Sequence, residues 1–134
     1  MANPTFPVTV VSPEQVLYEG EAEMVACRTT EGEIAFMPGH QPLLGALGTA
    51  KVRVILTDGE QVAAVHEGFV EVTGDRVVVL SDVAELPEQI DVPRAQAAKQ
   101  QAEASLASDP EDDEARAALA RADLRLEVAG AVPG

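Results

Sequence analysis

The chain has 134 residues, 46% of them apolar, which suits one compact domain, or one domain with an appendage, around a substantial core. Acids outnumber bases by 23 to 9, and a formal charge of −14 argues against nucleic acid and anionic membrane surfaces as partners, since both repel a polyanion. The acidity either favours basic protein partners or serves solubility alone.

The first residues, MANPTFPV, have neither a basic n-region nor an apolar h-region, so no export or organelle signal is expected. No stretch reaches the ~18 apolar residues of a membrane span. Up to about Leu86 the pattern is β: Pro7–Val11, Ala22–Arg28, Glu33–Phe36, Lys51–Leu56, Gln61–His66, Phe69–Thr73 and Arg76–Leu80 alternate or are rich in branched residues, with turn signals between them. Asp58-Gly59 and Gly74-Asp75 read as tight hairpin turns. With Tyr18, Phe6, Phe36 and Phe69 as the whole aromatic complement, the core must be aliphatic. The expected fold is mainly β with α, an N-terminal β-sandwich or flattened barrel of about ten short strands over 1–86. Cys27 is the single cysteine, which excludes an internal disulfide and fits a buried small hydrophobe in a reducing compartment.

Over 87–134 alanine dominates and a C-terminal antiparallel two-helix hairpin is expected. Asp91 can cap the first helix, with Pro93 in its first turn and Ala95, Ala98, Ala102 and Leu106 on one face. Ser108-Asp109-Pro110 interrupts it; Asp109 then caps a second helix with Pro110 at its first position. Glu111, Asp112 and Asp113 suit the positive end of that helix dipole, and Arg121 and Arg125 the other end. Ala115, Ala118, Leu119, Ala122 and Leu126 repeat the apolar stripe, and Gly130 to Gly134 are expected to fray. Facing methyls hold such a hairpin weakly, so the arm is either mobile or a static cap over a sheet edge.

The catalytic inventory is nearly empty. No G-x-S-x-G surrounds Ser12, Ser81, Ser105 or Ser108, and neither a P-loop nor a G-x-G-x-x-G occurs. His40 and His66 lack metal-ligand spacing, and His66, within a strand, reads as structural. Glu31 and Glu33 beside Gly32 read as a solvated turn or a carboxylate pair. The chain is therefore expected to be a binding or mechanical part.

Three segments, VVSPEQVLYEGEAEMV (Val10 to Val25), EGEIAFMPGHQPLL (Glu31 to Leu44) and IDVPRAQAA (Ile90 to Ala98), resemble the epsilon-subunit family of bacterial F-type ATP synthases, and the resemblance runs from about Phe6 to Leu126. It implies a non-catalytic central-stalk rotor subunit that couples proton-driven rotation to ATP synthesis and inhibits ATP hydrolysis through its C-terminal helices. The implied partners are the gamma subunit, the c-subunit ring and, with the hairpin extended, the alpha/beta catalytic head. Neither nucleic acid nor direct membrane insertion is implied, and the implied location is peripheral, on the cytoplasmic face of the bacterial plasma membrane. The resemblance associates Glu31, Glu33 and His40 with c-ring contact. Ile90, Asp91, Arg94 and Ala95 match the family's ATP-binding motif, so regulatory ATP is the implied ligand and no cofactor is required. Two departures stand out. Gln101 replaces the basic residue that often follows the motif arginine by seven positions, and an acidic run, Glu111 to Glu114, opens a helix that is more basic in strongly inhibitory members. The competing reading is a free-standing ligand-binding β-sandwich with a helical lid.

Overall fold

Valines at alternate positions decide which face of each strand is buried. The computed structural model describes residues 3–29 and 32–130, with strands β1 (Phe6–Ser12), β2 (Gln15–Ala22), β3 (Met24–Thr29), β4 (Gly32–Phe36), β5 (Leu43–Leu56), β6 (Gly59–Thr73) and β7 (Arg76–Glu85). They join in the order β2-β1-β7-β6-β5-β3-β4, antiparallel except for the parallel β1–β7 pair. Val8, Val10, Val25, Val52, Val54, Val65, Val72, Val77 and Val79 are fully buried or nearly so, together with Phe36. Branched side chains suit a pleated, half-buried surface, so strand preference and core packing agree.

Seven strands, not ten, make the sandwich, because three of them are long enough to belong to both of its layers. Gly48, Glu67 and Asp82 lie opposite one another on β5, β6 and β7 and drop out of the ladders there, with the register unchanged on either side. Beyond them, inward alternation resumes one residue late: Leu47 is followed by Ala50, and Ser81 by Ala84. One residue per strand thus leaves the pleat along a common line, and the sheet folds over there. Glu67 takes a left-handed φ of 63° there. The Ser81 hydroxyl sits 2.7 Å from the Glu67 carbonyl and 2.8 Å from that of Val83, so its one proton serves both strands. At Gly68 the backbones close up: a Cβ would lie 2.1 Å from the Leu80 carbonyl oxygen and 2.9 Å from the Ser81 Cα.

The segments Gln61–His66 and Phe69–Thr73 are therefore two halves of β6, and Lys51–Leu56 is the second half of β5. The β5–β6 hairpin pairs Leu56 with Gly59, which makes Thr57 and Asp58 its loop, one residue earlier than expected.

The chain divides into two compact units, Met1–Glu85 and Leu86–Gly134. In the second, a short 3-10 turn (Pro87–Gln89) leads to α1 (Val92–Ser108) and α2 (Asp113–Val128). Asp91 caps α1, accepting from the Arg94 amide at 3.1 Å. The cap of α2 is Asp112, not Asp109: its carboxylate accepts from the Ala115 amide at 3.0 Å. Asp109 instead caps the end of α1, its amide donating to the Ser105 carbonyl, while its carboxylate takes the Glu111 amide at 3.0 Å and holds Pro110 in the turn. With several acids in a row, the carboxylate that caps is the one the connecting turn aligns with the free amides. Ala95, Ala102, Ala115, Ala122 and Leu126 of the expected stripe are buried, and so are Leu124 and Val128 outside it; Ala98, Leu106, Ala118 and Leu119 are only partly covered. Gly130, at φ 78°, follows α2 and donates to the Glu127 carbonyl. Residues 131–134, where fraying was expected, lie outside the described residues.

Candidate functional site: a stiff turn, an apolar sheet face and a helix start

Met37-Pro38-Gly39-His40 forms a type II turn after β4. Proline presets the first central angle, Gly39 supplies the positive φ of 86° at the second, and the His40 amide closes the turn on the Met37 carbonyl at 3.0 Å. The Gly39 amide also donates to the Gly74 carbonyl at 3.0 Å, which fastens the turn to the β6–β7 hairpin. The His40 ring meets Phe36 edge-on, with centroids 5.1 Å apart, and its Nδ1 donates to the Gln41 carbonyl at 2.7 Å. His40 is thus held by a buried ring beneath it and by local backbone. Met37 and Leu44 are exposed beside the turn.

Glu33 is not beside His40. The two flank β4 from opposite ends, with about 10 Å of strand between Glu33 and Phe36. Arg53 lies 4.0 Å from Glu33 and pairs with Glu60 at 3.0 Å, so the Glu33 carboxylate is lightly engaged and half exposed. Glu31 lies outside the described residues.

A larger surface escaped the sequence reading. Register aligns Val11, Leu80, Phe69 and Ala46 across β1, β7, β6 and β5. This outward row leaves Phe69 55% and Leu80 50% exposed, with Leu44 at 71% nearby on β5. It borders a groove of about 720 Å³ whose rim includes Glu67 and Asp82. Exposed aromatic and aliphatic side chains in one row, rimmed by acids, mark an interaction surface. The signal was present: Val70 and Val72 face in, so Phe69 must face out.

At the helical site Ile90 is buried, Asp91 is committed to capping, Ala95 is buried and Arg94 projects from the first turn as an exposed cation. Pro93 has no amide proton, and Asp91 takes the Arg94 amide on its carboxylate and the Ala95 amide on its carbonyl, so the Arg94 guanidinium is what this helix start offers an anion. Asp91→Ala is expected to cost about 1 kcal/mol of helical stability, measured by thermal unfolding, because the Arg94 amide loses its acceptor.

The remaining reactive groups serve structure. His66, buried in β6, holds Glu85 at 2.9 Å. Burial, and then the Glu33 carboxylate, push the Cys27 thiol up to about 12, so it stays protonated and inert. Among the described residues no group of three or more His, Cys, Asp or Glu is placed to hold a metal ion. Nor is any described helix long and apolar enough to cross a membrane.

A folded-over sheet with an exposed apolar row, followed by a helical hairpin, defines a β-sandwich protein with a helical appendage. Comparison with known families narrows this. Residues 5–87 match the β-sandwich domain of the ATP synthase delta/epsilon chain, and residues 88–130 match its long α-helix domain. The chain is 45% identical over 126 residues to the ATP synthase epsilon chain of Shouchella clausii, covering 93% of this chain and 95% of that one. It is 47% identical over 128 residues to the epsilon chain of Thermobifida fusca, covering 92% and 91%. Its fold is shared, at a TM-score of 0.69 and 20% identity over 96% of this chain and 79% of the other, with a chain in the cryo-EM structure of the Euglena gracilis mitochondrial ATP synthase comprising OSCP, F1 and c-ring. The chain belongs to the ATP synthase delta/epsilon family and is of the epsilon type, a stalk subunit without catalytic activity of its own.

Proposed function

We propose that the sandwich, residues 1–86, seats on the rotating gamma subunit through the Val11–Leu80–Phe69–Ala46 row, while the helical unit, residues 87–134, regulates ATP hydrolysis by reaching the alpha/beta head. The carrying observation is that row: apolar side chains at half exposure on a rigid sheet are a cost in solution and an asset in an assembly. Glu33, Glu31 and His40 are the proposed contacts to the c-ring. Glu33 near the start of β4 and His40 beyond its end favour a broad contact over a single point, and a turn preset by Pro38 and Gly39 loses little entropy on docking. The chain would then sit peripherally at the cytoplasmic face of the plasma membrane. Phe69→Asp with Leu80→Asp should leave the sandwich folded, since both side chains already face water. Its affinity for gamma in a pull-down or titration should fall by roughly 30-fold or more, the loss of an interface hot spot. Unaltered binding would remove the row from the interface.

ATP is the proposed regulatory ligand at Ile90, Asp91, Arg94 and Ala95. Arg94 supplies the phosphate contact and Asp91 orders the helix start. Gln101 adds no charge, so affinity is modest. Isothermal titration should give a dissociation constant that rises about tenfold in Arg94→Ala, the weight of one charge-assisted contact. No heat at millimolar ATP rejects the site.

A further inference from the structure

The buried residues of α1 are the alanines Ala95 and Ala102, and α2 adds Ala115 and Ala122, with Leu124, Leu126 and Val128 toward its far end. Where alanine faces alanine one contact resembles the next, so that part of the seam contributes little to register. The Asp109–Asp112 connection fixes the register at one end only. Farther along, the Lys99 ammonium meets the Asp123 carboxylate at 3.0 Å. These residues lie nine and ten positions from the helix ends at the connection, roughly 14 Å up each helix at 1.5 Å per residue. The pair therefore ties the hairpin where the loop no longer does. Lys99 is the one lysine in this unit. The hydrogen bond and charge of Asp123, and then the charge of Glu103 on its own helix, raise its ammonium above the usual lysine range, so it stays charged at any physiological pH.

We propose that Lys99–Asp123 is an ionic latch that sets the register of α1 on α2 and makes closure of the hairpin sensitive to ionic strength. Both members are partly exposed, so salt reaches the pair, and its attraction falls as the screening length drops below the spacing of surface charges. The inference depends on the two helices alone and stands whether or not the hairpin inhibits hydrolysis.

Spin labels at Gln96→Cys and Ala129→Cys in the full-length chain report the open end of the hairpin, and Cys27, being buried, does not compete for label. At low salt Lys99→Gln should raise the long-distance population about two- to fivefold over the parent, the weight of one exposed ion pair. Near 1 M salt the parent should approach the variant, and the exchange Lys99→Asp with Asp123→Lys should restore the short distance. A Lys99→Gln distribution equal to the parent's at low salt overturns the latch, as does a double exchange no better closed than the single change.

Discussion

Gly68→Ala is expected to lower the stability of the sandwich by about 3 kcal/mol or more, in the range reserved for core clashes and lost backbone freedom. The reason is local and severe. The added methyl would occupy the space of the Leu80 carbonyl, 2.1 Å away, and the atoms it meets are backbone, which cannot rotate aside as a side chain tip does. Relief would require β6 and β7 to separate at the place where the Ser81 hydroxyl ties both strands. For a unit of this size 3 kcal/mol corresponds to a fall in Tm of roughly 12 to 20 °C, measured by circular dichroism. Gly74→Ala is the control. Its methyl meets open space in the β6–β7 turn, and its Tm should stay within a few degrees of the parent's. A Gly68→Ala protein that melts alongside this control would show that the fold line yields easily.

Removing Leu86–Gly134 from the reconstituted ATP synthase should raise ATP hydrolysis by about fivefold, the low end of ordinary regulatory coupling. Electrostatics keeps the effect at that low end. Strong docking on acidic surfaces of a catalytic head needs bases, and α2 opens on Asp113 and Glu114, with Arg116 partly spent on Asp113 at 3.0 Å and on the Pro110 carbonyl. The remaining bases of α2 are Arg121 and Arg125, against the acids at its start. The sandwich has its own core, so the shortened chain should still assemble and sustain synthesis. Hydrolysis equal to that of the intact complex would show that the helices do not inhibit.

What could be seen in the sequence was whatever depends on neighbours in the chain. Valine alternation marked the strands, Asp91 marked a cap, and Gly74-Asp75 marked a hairpin turn. What could not be seen depends on partners distant in sequence. Glu67-Gly68 has the local look of a turn, and only the strands on either side, which pair with β6 both before and after this point, make it a fold line within one long strand. Asp109 and Asp112 are equivalent caps on paper, and the course of the connecting turn chose between them. Glu33 and His40 are close in sequence, yet an extended strand separates them. The Leu80–Phe69 row is assembled from four strands, so no single stretch announces it, although the parity of each strand contains it.

Because β5, β6 and β7 each run through both layers, the two faces of this block are joined by peptide bonds and not merely by touching side chains. A sideways load applied to one face and resisted at the other is carried along covalent backbone, which hardly stretches, instead of across a greasy contact that slips. A part that must turn with its neighbours without lagging gains stiffness this way, and it should come apart, when it does, in a single step.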